Sequence, residues 1–391
     1  MIGAPKRYEI VWTVAKGLGL RLPPTSVAEY EDHVHVCHVN MNNEFGGGER
    51  QTLALVQALS GSVSQRVVVR RNSLLHQALA LECCDAAIIA GAHSALDALR
   101  HTARTDIVHV HEGRSVPVGA ARSALGTPFL ATHRLVQQPK GRAATRWCYR
   151  RAKSIVGVSS AVVEAMSHYT DQRVSDVVYD CAPNLQPPDR GRVAHLRRCL
   201  PDKILIGQVG RLDDAMKGQR LTIAVAKLLE HARPEIAFLI IGGGPDDAVL
   251  REEAKGISNV WFTGWVPRIA DYYAVLDIMA FPSRVEGLGS AILEAMSLGV
   301  PSVASAVGGT PEIVEHESNG LLFPKDDIRV FREQLERLVV DAALRNSLAR
   351  RARDTAAVFS PARMAERYRN LYAEIIRSDR SNPRGEVRQR R

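Results

Sequence analysis

The sequence predicts an α/β protein built as two doubly wound domains in tandem, facing one central cleft. At 391 residues the chain exceeds what one ordinary core accommodates. Runs of about five to seven residues, apolar at nearly every position, alternate with helix-length segments. That is the pattern of strands buried on both faces of a parallel sheet. The alternation lapses once, in PPDRGRVAHLRRCLPDK at residues 187–203, and then restarts, which marks a linker between two similar units.

Residues 1–33 read as an irregular extension. The first domain, 34–195, carries the strand-like runs VHVCHV, RVVVR, AAIIA, DIVHVH, PFLATH and SIVGVS. The second, 200–360, carries ILIGQVG, AFLIIGG, NVWFTGW, DIMAFPS, PSVAS and NGLLF. A closing helix over 361–376 starts at the Ser360-Pro361 signal and is expected to pack across both domains, and 377–391 reads as a basic disordered tail. In doubly wound sheets ligands bind beyond the carboxyl ends of the strands, so a cleft between two such domains is the expected site.

Composition narrows the function classes. With 46% hydrophobic and 24% charged residues the chain reads as a water-soluble globular protein, and no apolar run approaches the roughly 18 to 20 residues that span a bilayer. The early run IVWTVA is short, follows Glu9 and lacks a leader-peptide layout. Cysteines at 37, 83, 84, 148, 181 and 199 form no CxxC pair, so neither a disulfide framework nor a zinc site is indicated and a reducing cytosol fits. The net charge of +9 asks for an anionic partner, although the last 16 residues supply +4 of it, six Arg less one Asp and one Glu.

Four stretches at predicted strand ends are candidates for chemistry. NNEFGGGERQ, with Gly46 and Gly47, opens a helix after the first strand and lets its backbone N–H groups approach an anion; a ligand-free tight turn is the plainer alternative. GQVGRLDDAMKGQ brings Arg211 and Lys217 into one loop, suited to clamping a diphosphate unless Asp213 and Asp214 neutralise them. SRVEGLGSAILEAMSLGVPSVAS places Glu286 before a glycine turn, Gly287, Leu288, Gly289 and Ser290 at a helix start, and Glu294 inside an apolar helix. There a carboxylate is rarely left without partners and is suited to a vicinal diol such as ribose. TPFLATHR ends a strand with His133. With His109 and His111 nearby, three imidazoles at one sheet edge raise a zinc reading, which the absence of a completing Asp or Cys argues against.

Taken together in this order, GGGER, GRL with a later KG, IIGGGP, FTGWV, the Glu286–Glu294 stretch and the GG-PEIV-NG-LLFP series resemble the retaining nucleotide-sugar glycosyltransferases of family 4, on the GT-B fold, over residues 34–376. The resemblance implies that Arg211 and Lys217 hold the donor diphosphate, Glu294 the ribose and Glu286 the donor sugar. It implies that the amides of Gly287 to Ser290 meet sugar and phosphate, that Gly46 and Gly47 approach from the other domain, that His133 lies at the reacting face, and that Val266 docks the base. It further implies retention of configuration with no metal and no cofactor, and the sequence contains no Asp-x-Asp pair. Three departures stand out: Lys217 follows Arg211 by six positions rather than five, Arg134 follows His133 where many members carry an acid, and Leu185 replaces the glycine after Asn184.

On the acceptor side, Arg142, Arg146, Arg150 and Lys153 recur at helical spacing around Trp147, suited to an anionic lipid surface or a phosphorylated glycolipid, or else to a solvated face. The expected acceptor is a cell-surface glycan or glycolipid (lipopolysaccharide, capsule or exopolysaccharide), reached from the cytoplasm with peripheral contact to the inner membrane face. Two rivals are a GT-B enzyme that makes a soluble glycoside or epimerises a sugar nucleotide, and a non-catalytic nucleic-acid or glycan binder. The nucleic-acid reading lacks a basic motif interleaved with aromatics, aromatic content being 5%, so no nucleic-acid partner is expected.

Overall fold

The computed structural model describes residues 34–83, 87–139, 143–170, 174 and 176–381. The first domain is one parallel sheet of seven strands: β1 His35–Asn40, β2 Ser64–Arg70, β3 Ile88–Ala92, β4 Ile107–Val110, β5 Phe129–His133, β6 Ser154–Gly157 and β7 Asp176–Val177, in the order β3-β2-β1-β4-β5-β6-β7. The second has six: β8 Ile204–Val209, β9 Ile236–Ile241, β10 Val260–Gly264, β11 Ile278–Phe281, β12 Ser302–Ser305 and β13 Leu321–Phe323, in the order β10-β9-β8-β11-β12-β13. Central strands such as β4, β5 and β9 are buried along their whole length, whereas edge strand β10 is half-buried throughout. This is why the former read as unbroken apolar runs.

In each sheet the strand order reverses between the first strand and the fourth, β1 and β4 in one and β8 and β11 in the other. Loops leaving adjacent strands at such a point diverge and open a crevice at the carboxyl edge. Here the two crevices face one another. An apolar cluster runs across the boundary, joining Val110 and Val158 of the first domain to Leu288, Ile292 and Ile313 of the second.

Two expectations are corrected. The stretch read as a linker holds a helix, Arg190–Cys199. Its cap is Asp189, whose Oδ1 accepts from Arg192 N–H at 2.8 Å, and Val193, Leu196 and Leu200 pack onto the core. It is tied to the second domain, since Asp189 N–H donates to Asp271 Oδ1 at 2.8 Å. The closing helix runs Pro361–Ser381, five residues further than expected, and packs on the first domain. Met364, Ala365, Tyr368, Tyr372, Ile375 and Ile376 lie against Val36, Leu55, Leu59, Ile107, Leu130 and Val156. The chain crosses back at Phe359, whose carbonyl accepts from Ala182 N–H at 2.7 Å. Residues 1–33 and 382–391, read as extension and tail, lie outside the described residues.

Candidate active site

Glycines set how closely the two domains approach. β1 turns through residues 41–46 into the helix Gly47–Ala58, whose start is held by Glu49: Gly46 N–H donates to its Oε2 at 2.9 Å and Asn42 Nδ2 to its Oε1 at 3.0 Å. A side chain at Gly47 would place its Cβ 2.9 Å from Ser290 Oγ of the other domain. One at Gly287 would meet the Arg134 carbonyl oxygen at 2.0 Å. At Gly287 only a residue without a Cβ lets the two backbones meet, whereas the neighbour of Gly47 is a serine hydroxyl. Gly289, with φ of +109°, turns the chain into the helix Ser290–Ser297, which has no side-chain N-cap, so its first N–H groups remain available to an anion. Across the boundary, Ser159 Oγ donates to the Gly287 carbonyl at 2.6 Å.

Charged side chains from both domains converge on these turns. Lys217 forms an ion pair with Glu286, which also accepts from Ser283 Oγ at 2.8 Å and is 8% exposed. Arg211 pairs with Glu44 of the first domain's glycine turn. Glu294, 6% exposed, accepts from Tyr273 OH at 3.1 Å and faces Arg50 Nη1 of the first domain at 3.8 Å. Its burial pushes the carboxyl upward, with Arg50 the main opposing influence. His133 lies buried at the end of β5, next to the Arg134 carbonyl that meets Gly287, with Nε2 3.3 Å from the Gln137 carbonyl oxygen and Nδ1 3.4 Å from Tyr149 OH. Burial pushes its pKa down to about 4, so the imidazole is neutral. Leu288 and Val266 are buried in the apolar cluster that spans the boundary. Contacts across the boundary thus link the Glu44–Arg50 turn to Arg211, Ser290 and Glu294, and the Arg134–Ser159 side to Gly287.

A family description, glycosyl transferases group 1, matches residues 203–341. A D-inositol 3-phosphate glycosyltransferase from Corynebacterium jeikeium is 31% identical over 303 residues, covering 69% of this chain and 72% of that one. The chain belongs to the group 1 glycosyl transferases. A 2-deoxystreptamine N-acetyl-D-glucosaminyltransferase from Streptomyces fradiae is 30% identical over 279 residues, and the match spans 65% of that enzyme's length, just under two thirds. Among solved structures, Anabaena HepE in complex with UDP and glucose superposes with a TM-score of 0.76 at 18% identity, covering 88% of this chain and 100% of that one. Its fold is therefore GT-B, as expected.

Several residues in contact with these turns carried little or no signal of it in the sequence. Glu44, Glu49 and Arg50 surround the first glycine turn. Of these only Glu49 had a local signal, an acid three residues past the helix-opening glycine, as in a capping box. Arg134 makes a buried ion pair with Asp180 at 3.1 Å and donates to the His111 carbonyl at 2.8 Å. Glu312 accepts from Ser160 N–H at 2.9 Å and Tyr179 OH at 3.0 Å, so the second domain caps a first-domain helix. None of these partners is close in sequence.

The histidine grouping differs from expectation. His38 of β1 joins His109 and His111, while His133 stands apart, and the ligand-capable nitrogens of the trio lie within 4.8 Å of one another. His109 spends both nitrogens on hydroxyls, Tyr372 OH and Thr132 Oγ1, each at 2.7 Å, and His38 Nδ1 bonds His111 Nε2 at 2.9 Å. The His109 and His111 ring centroids lie 3.9 Å apart with the planes tilted by 35°, whereas rings chelating one ion radiate from it. The arrangement is a buried hydrogen-bonded cluster.

The basic stretch has partners at the protein surface: in the helix Ala143–Arg150, Arg146 lies over the Tyr169 ring at 5.4 Å and the exposed Arg150 donates to the Thr170 carbonyl at 2.9 Å, and beyond it the exposed Lys153 pairs with Asp379 at 2.7 Å. Trp147 is 56% exposed under Arg151. Arg142 lies outside the described residues. No described helix is long and apolar enough to cross a membrane.

Proposed function

We propose that the chain transfers a sugar from a nucleoside-diphosphate sugar to a hydroxyl of a small polyhydroxylated acceptor, with retention of anomeric configuration and without a metal. The observation that carries this reading is the convergence, across the domain boundary, of two cations, an uncapped helix start and two buried carboxylates on one crevice. Lys217 and Arg211 hold the diphosphate, and the N–H groups at Gly287 to Ser290 take up charge that grows on it as the glycosidic bond breaks. Glu286 orients the donor sugar through its hydroxyls, Glu294 accepts from the ribose diol, and Val266 supports the base. His133, neutral, offers a hydrogen bond rather than a charge at the reacting face. The acceptor proton passes to the departing phosphate oxygen on the same face, so the protein's part is positioning and charge stabilisation in a desolvated site.

The names of the Streptomyces fradiae and Corynebacterium jeikeium relatives specify small cyclitol acceptors, and this supports a soluble acceptor. The cell-surface glycan reading leaned on the basic stretch, where Arg146, Arg150 and Lys153 each have a partner within the chain. The test is incubation of the full chain with UDP-, GDP- and ADP-sugars and a panel of cyclitols, with products read by mass spectrometry and NMR, with and without EDTA. The expected result is one α-linked glycoside from an α-linked donor, unaffected by EDTA. Transfer only to glycolipid in vesicles would overturn the acceptor assignment; an inverted product, or loss of activity in EDTA, would overturn the mechanism.

A further inference from the structure

Glu294 and Arg50 belong to different domains, and their pairing has a functional reading. Glu294 sits in the apolar helix Ser290–Ser297 with its two oxygens aimed at different elements: Oε2 accepts from Tyr273 OH at 3.1 Å, and Oε1 faces Arg50 Nη1 at 3.8 Å. Arg50 stands one turn inside the helix Gly47–Ala58, its guanidinium 5.8 Å from the centroid of the Phe45 ring. The third ionisable neighbour, Cys181 on the segment after β7, has its thiol pushed up to about 12 by burial and stays neutral. Among the described residues, then, Arg50 is the cation recorded opposite this carboxylate.

The spacing matters. At 3.8 Å the guanidinium is too far to take a lone pair of Oε1 in a hydrogen bond, yet near enough to act on its charge. Oε1 keeps its capacity to accept from a hydroxyl while the counter-charge lies beside it. Such a carboxylate recognises a diol better than one fully occupied by a bidentate arginine, and better than a buried acid with no cation, which burial protonates.

Resting on the reading of Glu294 as the ribose acceptor, we propose that Arg50 is a positioning residue for the donor, keeping the Glu294 carboxylate open to the ribose diol from across the domain boundary. Ribose recognition is thereby coupled to docking of the first domain, since the second domain alone lacks the cation.

The experiment is calorimetric titration of the full chain with UDP, GDP and ADP, and of the tightest of these against its 2′-deoxy counterpart, for wild type, Arg50→Ala, Arg50→Lys and Glu294→Gln. Melting curves check that each variant is folded. Wild type is expected to prefer the ribonucleotide by about tenfold or more. Arg50→Ala should weaken the ribonucleotide about tenfold and shrink the ribo/deoxy ratio toward that of Glu294→Gln, and Arg50→Lys should restore part of it. The sign with pH follows from the charge: removing the cation raises the carboxyl pKa further, so in Arg50→Ala the affinity is lost at a higher pH on acidification than in wild type. An Arg50→Ala protein that keeps the wild-type ratio and pH profile, while Glu294→Gln loses the ratio, overturns this inference alone. A wild type that binds none of the three nucleotides, or a Glu294→Gln that keeps the full preference, overturns the nucleotide reading as well.

Discussion

Lys217 is engaged before any substrate arrives: its ammonium pairs with Glu286 and lies 5.8 Å from the centre of the Phe281 ring. On the proposed reading a diphosphate shares that cation, and Lys217 is held in place by the Glu286 carboxylate. Lys217→Ala and Glu286→Ala are therefore expected to lower kcat by roughly two orders of magnitude or more, the scale for removing one preorganised charge-stabilising group. Glu294→Ala is expected to act mainly on donor KM, because ribose contacts are alike in ground and transition states. Steady-state kinetics on the three variants separates these outcomes. Arg211 is met by Glu44, and both are exposed, so the pair is weak, and on the proposed reading Glu44 competes with a diphosphate for Arg211. Glu44→Gln should tighten nucleoside-diphosphate binding about threefold by calorimetry; weaker binding would make Glu44 a contributor instead of a competitor. The candidates on the second domain were legible because glycines beside acids and cations at strand ends are local patterns. Arg50 and Arg134 were not, because what gives them meaning is a partner on another domain or strand.

At the level of elements, the buried strands were readable and the short ones were not: β7 has two residues, too few to show a period. The helix Arg190–Cys199 was hidden by its Gly and Arg content and by the prolines on either side, although Asp189 marked its start. Amphipathic periodicity identified the last helix without saying which domain its apolar face meets. Since that face packs on the first domain, Tyr372→Ala should cost about 3 to 5 kcal/mol, while Tyr372→Phe, which removes only the hydroxyl bonded to His109, should cost about 1 to 3 kcal/mol, read by urea unfolding. The histidines beneath that helix add a pH dependence. His38 is pushed down to about 4, and His109 and His111 well below the ordinary histidine value, all mainly by burial. With folded pKa values below unfolded ones, the unfolded chain binds more protons on acidification. Stability is then full above about pH 6.5 and falls by about 1.4 kcal/mol per pH unit for each proton taken up. Unfolding midpoints between pH 7 and 4 measure this, and a His109→Gln variant should show a shallower slope.

Across the whole molecule, the proposed function depends on how the halves face each other. Gly47 against Ser290, Gly287 against Arg134, Ser159 on the Gly287 carbonyl and Glu312 on Ser160 are contacts between the domains, made at the turns that border the crevice. Tandem doubly wound domains were predictable from the repeated alternation, and the carboxyl edges of both sheets followed from topology. The particular docking was not, because it is fixed by backbone approaches at single glycines. On the proposed reading the site is one that neither domain holds alone, and a nucleotide bound there should register on both at once. Hydrogen–deuterium exchange with and without the tightest of UDP, GDP and ADP measures this directly. The account predicts slowed exchange in both residues 42–52 and residues 284–296. Protection confined to one domain, or appearing only away from these turns, would contradict it.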